Sequence, residues 1–70
     1  IELLIDNRVK NISGKTVEDL QFNENINIPC IKRDEDILMA HGTTKILEND
    51  HLIVFYKNKD DIEGFYNRYK

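Results

Sequence analysis

The residues that could do chemistry are few: two histidines, one cysteine and one serine in a chain of 70. His41 and His51 have no patterned acid or cysteine around them, which makes a weak metal signal. His51 stands beside Asp50 at the head of an apolar run and reads as a strand-edge residue. His41 lies in Ala40-His41-Gly42-Thr43-Thr44. Glycine there permits close backbone approach, and polar loop residues are free to bind. Ligand contact and plain surface both fit it. Cys30 sits in an apolar strand with no base near it in sequence, which describes a buried structural thiol rather than a nucleophile. Ser13-Gly14-Lys15-Thr16 has the ending of a phosphate-binding P-loop, but the upstream glycine is absent and no apolar strand runs into it. A turn and a helix cap account for Gly14 and Thr16. The chain therefore reads as a binding module and not an enzyme, with no catalytic and no metal-ligating residue.

The aromatic set Phe55, Tyr56, Phe65, Tyr66 and Tyr69 admits two readings. One is a base-stacking platform. The other is a helix packed on the last strand, because Ile62, Phe65, Tyr66 and Tyr69 fall on one helical face. Core or dimer contact is the preferred reading.

The elements that must position these residues come from one small domain over residues 1–70, expected to be excised from a larger protein. Ile1 reads as mid-strand and no methionine precedes it. Hydrophobic residues at 40% and charged residues at 33% give an ordinary globular balance. The net charge of -3, with both signs scattered, argues against a nucleic-acid surface. One cysteine allows no internal disulfide, which fits a reducing cytoplasm. No apolar run approaches the length that spans a bilayer, so direct membrane insertion is not expected.

Ile1, Leu3 and Ile5 alternate as a strand, and Asn7 to Ser13 reads as a polar loop. Thr16 and Asp19 form a capping-box pattern opening a short helix from Val17 to Leu20 or Gln21. Ile26, Ile28 and Cys30 alternate in a second strand, and Ile31 breaks the alternation, so the strand should be buried on both faces near its end. Pro29 lacks an N–H, so the strand should be at an edge or carry a bulge there. Arg33-Asp34-Glu35 is a charged turn, and Asp36 to Ala40 returns as a hairpin strand. In the long connection to Asp50, Ile46 and Leu47 should pin the chain to the core. His51 to Tyr56 should be the central strand. Asn58 should cap a last helix, with Asp60 and Asp61 in its first turn. The order is β-α-β-β-β-α, an α+β fold.

From Gly14 onward this chain resembles the TrkA C-terminal family, also called the RCK C-terminal domain. The resemblance rests on Gly14-Lys15-Thr16 through Leu20, the apolar strand Ile28 to Arg33, and Ala40-His41-Gly42-Thr43-Thr44. Asn49-Asp50 and His51-Leu52-Ile53-Val54, with a closing helix, complete it. Ala40 replaces a proline, Asn49 a glycine, and Tyr56 stands where a glycine often ends the strand.

The resemblance implies a small sandwich of the TrkA-C type that pairs into a dimer. A 70-residue sheet with apolar strands on both sides also lacks the chain to cover itself, so a homodimer is expected, with contact from Asn25 to Ile31 and neighbouring loops. It implies a cytoplasmic regulatory domain of a membrane ion transporter or channel for potassium or another cation, in the same polypeptide or at the membrane face. The alternatives are the effector-binding domain of a winged-helix transcription factor and a purely structural dimerisation module. The family also implies a possible nucleotide ligand, cyclic di-AMP, at the dimer interface, and no other cofactor. On that reading Ile28, Pro29 and Ile31 offer apolar surface to adenine. Asn25, Asn27 and His41 offer donors, and Arg33 offers a charge-assisted bond to phosphate.

Overall fold

The structure, a computed structural model, describes residues 1–9 and 11–70. Four antiparallel strands form one sheet: β1 (Glu2–Leu4), β2 (Ile26–Arg33), β3 (Asp36–Met39) and β4 (His51–Tyr56), in the spatial order β1-β4-β2-β3. The apolar, β-branched β4 is an inner strand, as its composition demands. The closing helix α1 (Lys59–Tyr69) lays Ile62, Phe65 and Tyr69 into the core with Leu52 and Val54.

β2 is also an inner strand, so Pro29 has to be accommodated inside the sheet. It sits within a bulge. Asn27 pairs with Phe55 and Cys30 with Ile53, so β2 spends one residue more than β4 between those pairs. The extra residue shifts the alternation by one. Ile26 and Ile28 face the core before it, and Ile31 faces the core after it.

The segments between strands are more structured than their polarity suggests. Asn7–Val9 forms a single 3-10 turn, and Val9 and Ile12 are buried at its end. The expected helix after Thr16 is a 3-10 turn too, over Glu18–Leu20. Its capping box is present: the Asp19 amide donates to Thr16 Oγ1 at 3.3 Å, and the Thr16 amide to Asp19 Oδ2 at 3.0 Å. Gln21 then turns left-handed, at φ 49°. Its neighbour's carbonyl, that of Leu20, accepts the Tyr69 hydroxyl at 2.7 Å and the Arg68 guanidinium at 3.0 Å. Helix α1 is thereby tied to the far side of the core.

Two expectations need correction. Ile46 is buried as expected, but Leu47 is 42% exposed and pins nothing. Asn58 occupies the N-cap position of α1, yet its side chain makes no cap to a backbone amide. Asn58 Nδ2 instead donates to Asp61, the carboxylate that also collects Asn23 and Asn25.

Candidate functional site

The two faces of the sheet differ. One carries Leu3, Ile26, Ile28, Ile31, Leu52 and Val54 and is covered by α1 and the two 3-10 turns. The other is set by strand parity. The pairs Glu2 with Ile53, Leu4 with His51, Asn27 with Phe55, Cys30 with Met39, and Lys32 with Ile37 all point away from the core. Ile37 and Met39 are each 70% exposed and Phe55 is 61% exposed. Ile53, Leu4 and Cys30 are half-buried between them. His51 Nδ1 lies 2.9 Å from Glu2 Oε2 at the β1 end of this face. The result is an apolar sheet face without a second layer.

At the end of the sheet, on the core side, Arg33 and Asp50 form a hub. Arg33 Nε and Nη2 donate to the two Asp50 oxygens at 2.8 Å each, a bidentate pair. Nη2 also donates to the Lys45 carbonyl, and the Leu47 amide donates to Asp50. Asp50 is 1% exposed. Burial pushes its carboxyl up, but the Arg33 bonds, the Leu47 amide and the Arg33 charge outweigh it, so the carboxyl is held below its ordinary range. This hub fixes the connection leading into β4.

The sequence-predicted site residues separate into three groups. Ile28 and Ile31 are core residues, 3% and 0% exposed, and have no surface to give an adenine. The physical reason is the bulge, which turns both inward although they are three apart. Asn25 and Arg33 are polar but already engaged: Asn25 Nδ2 donates to Asp61 at 3.2 Å, and Arg33 serves Asp50. Asn27, Pro29 and His41 remain accessible. The Ala40 amide donates to the Pro29 carbonyl, so the His41 turn starts beside the bulge, and the His41 amide donates to Thr44 Oγ1. Phe55 and Met39 lie on the same open face as Asn27. Strand alternation alone could have placed Phe55 there, since Leu52 and Val54 are the core positions of β4 and Phe55 has the opposite parity.

The remaining chemical groups do not assemble. Among the described residues no group of three His, Cys, Asp or Glu side chains could hold a metal ion. The Gly14 amide donates to the Ile46 carbonyl and the Lys15 amide to Ile12, so this P-loop-like turn spends its donors internally. Gly14 has φ 90°, which accounts for the glycine by itself. A cleft of about 310 Å³ between Ile1 and α1 is lined by Ile62, Glu63, Tyr66 and Asn67 and contains no acid–base pair. Among the described residues no helix is long and apolar enough to cross a membrane.

Similarity to known proteins runs along nearly the whole chain. Residues 5–69 match the TrkA-C domain, and the chain belongs to that family. The Trk system potassium uptake protein TrkA of Vibrio alginolyticus is 30% identical over 64 residues, which is 87% of this chain and 14% of the relative's length. Among solved structures, an RCK domain with cda superposes with a TM-score of 0.78 at 20% identity, covering 100% of this chain and 96% of that one. The RCK_C domain dimer of S. agalactiae BusR in complex with c-di-AMP superposes with a TM-score of 0.70 at 16% identity, covering 97% and 95%. The expected α+β architecture is thus the family's own.

Proposed function

We propose that this TrkA-C domain is a non-catalytic regulatory module that works as a homodimer, senses cyclic di-AMP and passes its occupancy to a cation transporter, with potassium as the leading ion. The observation that carries the reading is the open sheet face. A 70-residue domain buries only about 60% of its unfolded surface and has little apolar area to leave in water. Ile37, Met39 and Phe55 nevertheless stand exposed together with Ile53 and Leu4 behind them. A two-fold dimer covers such a patch with a copy of itself.

Potassium transport is supported by the printed name of the Vibrio relative, of which this chain matches a small part. Cyclic di-AMP is supported by the RCK_C dimer of the solved neighbour, which contains that ligand. The mechanism is a population shift: a ligand that fits one dimer arrangement better favours it, and the attached gate follows. The domain acts at the cytoplasmic face of the membrane, with no direct contact to nucleic acid or lipid.

Analytical ultracentrifugation tests the dimer. Wild type at micromolar concentration should sediment at about twice its mass of 8.3 kDa. Met39→Asp puts a charge on the open face at a position exposed in the protomer, so it should give a folded monomer. Cyclic di-AMP should tighten the wild-type dimer. A wild type that stays monomeric at high concentration with and without the ligand would remove the interface model.

A further inference from the structure

Gly64 is the middle residue of α1. After proline, glycine is the poorest residue for a helix interior. Nothing inside the domain calls for it there. Its φ is not left-handed, and a Cβ at this position would meet no atom within 4 Å. Gly64 faces outward, and the surface beside it is notched. A cleft of about 190 Å³ is floored by Phe22 and Phe65 and flanked by Asp61 and Arg68. Helix α1 covers the core face of the sheet, so the notch lies across the domain from the open sheet face.

Charge changes sign on passing Gly64. Asp60 and Asp61 stand in the first turn of α1, Arg68 in the last, and Lys70 at its C-cap. Arg68 is held in place. Its Nη1 donates to the Leu20 and Gln21 carbonyls at 3.0 and 3.2 Å, and the guanidinium lies 5.8 Å from the centroid of the Tyr69 ring. Its Nε and Nη2 make no bond among the described residues.

We propose that α1 is a second self-pairing surface, on which α1 of another copy packs antiparallel with the two Gly64 residues at the crossing. A two-fold contact requires a patch that complements itself. This one does. Turning the helix end for end about Gly64 sets the acidic first turn of each copy level with the Arg68 turn of the other, about 6 Å along the axis on either side of the crossing. The helix dipoles are also opposed, each N-terminus beside a C-terminus. With no side chain at the crossing, the axes can close to about 8 Å, the short end of helix–helix separations. The reversal of charge about the glycine itself is what points to a second copy, since an unrelated partner needs no such symmetry. Each protomer then carries self-complementary surfaces on opposite sides, and pairing on both builds assemblies larger than a dimer. The inference does not depend on any ligand.

Sedimentation equilibrium from micromolar to millimolar concentration tests this on wild type and on Met39→Asp, each alone and combined with Gly64→Ala or Asp60→Lys. Met39→Asp, with its open face blocked, should form dimers toward millimolar concentration. Wild type should pass from dimer to larger species over the same range, and this step carries the test by itself if Met39→Asp does not fold. Gly64→Ala should weaken the step by about tenfold or more. It should also raise the midpoint of thermal unfolding by about 4–8 °C, because alanine is the better helix former and its methyl meets nothing in the domain. Weaker association of a more stable protein is a result that a purely structural glycine would not give. Asp60→Lys should weaken the step as well, and so should added salt in the wild type. Association that neither substitution changes overturns the pairing, as does a wild type with no species beyond the dimer at millimolar concentration. A lower unfolding midpoint for Gly64→Ala overturns it too, because the glycine would then be needed inside the fold. Wild type that is monomeric at micromolar concentration, yet pairs toward millimolar concentration in a Gly64-dependent way, keeps the α1 surface and overturns the sheet-face dimer.

Discussion

Asp50→Ala should be the most damaging single polar substitution in this domain. The carboxylate accepts Arg33 Nε and Nη2 at 2.8 Å and the Leu47 amide at 2.9 Å while being 1% exposed. Removing it leaves the Leu47 amide without its acceptor and the Arg33 guanidinium with the Lys45 carbonyl in place of a bidentate carboxylate. Breaking a buried pair from one side costs about 3–5 kcal/mol. The Arg33 side chain is 30% exposed, so water recovers part of its solvation. The expected loss is about 2–4 kcal/mol, against a total of about 4–10 kcal/mol for a domain of this length. Asp50→Asn keeps an acceptor for Leu47 and should lose less. Glu2→Gln is the comparison. Its partner His51 is 2.9 Å away, but the side chains are 49% and 38% exposed, and such a pair contributes about 0–1 kcal/mol. Urea unfolding followed by far-UV circular dichroism measures all three. Equal losses from Asp50→Ala and Glu2→Gln would refute the reasoning, because they would mean that burial of the pair adds nothing.

Backbone strain gives a second expectation. Gln21 at φ 49° and Asn49 at φ 73° are left-handed, so Gln21→Gly should stabilise the domain by about 0.5–1 kcal/mol and Asn49→Ala should destabilise it by about 1 kcal/mol in the same assay. Acid should weaken the fold in a defined window. The Asp50 and Asp61 carboxyls are both held below their ordinary values in the folded state, Asp61 by Asn23 first. Their contribution is therefore complete above the unfolded carboxylate pKa of about 3.9 and is lost as pH falls through the lower folded value. Thermal scans should show a midpoint insensitive to these groups from pH 5 to 7 and a fall below about pH 4 that Asp50→Asn makes shallower.

The strands, the last helix and the order of elements were legible because they repeat a period. His51 to Tyr56 announces an inner strand, and Ile62, Phe65 and Tyr69 a buried helical face. Pro29 called for an edge or a bulge, and the strand is an inner one with a bulge. The broken alternation at Ile31 read as burial on both faces, whereas it is the bulge that turns Ile31 inward and leaves Lys32 exposed. What stayed hidden depends on pairing across the chain. Val9 and Ile12 looked like parts of a polar loop, since single apolar residues without a period carry no signal of burial. Arg33 looked available for a phosphate because its partner Asp50 is seventeen positions away. Ile28 and Ile31 looked like two sides of a strand, because a bulge changes which face a residue shares without changing any residue type. The direction of Phe55, by contrast, was recoverable from parity within β4 alone.

The bulge also decides which side chains the open face can use. Uninterrupted alternation from Ile26 and Ile28 would turn Cys30 and Lys32 into the core and Ile31 and Arg33 outward. Lys32 would then be buried with no partner, and Asp50 would be a buried charge without its guanidinium. One extra residue avoids both, and Pro29, which has no N–H to lose, is suited to the break in the ladder. It follows that deleting Pro29 and deleting Lys32 should differ sharply, although each shortens β2 by one. Without Pro29, Ile28 and Cys30 are adjacent, regular alternation carries Ile31 and Arg33 inward, and Asn27 still meets Phe55. The cost is the Ala40-to-Pro29 hydrogen bond at 3.0 Å and the local twist, about 1–2 kcal/mol, so this variant should unfold cooperatively from a native-like state. Without Lys32, Arg33 falls on the open face and Asp50 is stranded, so this variant should be unfolded or molten. Tryptophan is absent, and near-ultraviolet circular dichroism of Tyr69, buried against Phe65, distinguishes a packed core from a molten one. If the Pro29 deletion were the molten one and the Lys32 deletion the packed one, the bulge would be setting something other than strand phase.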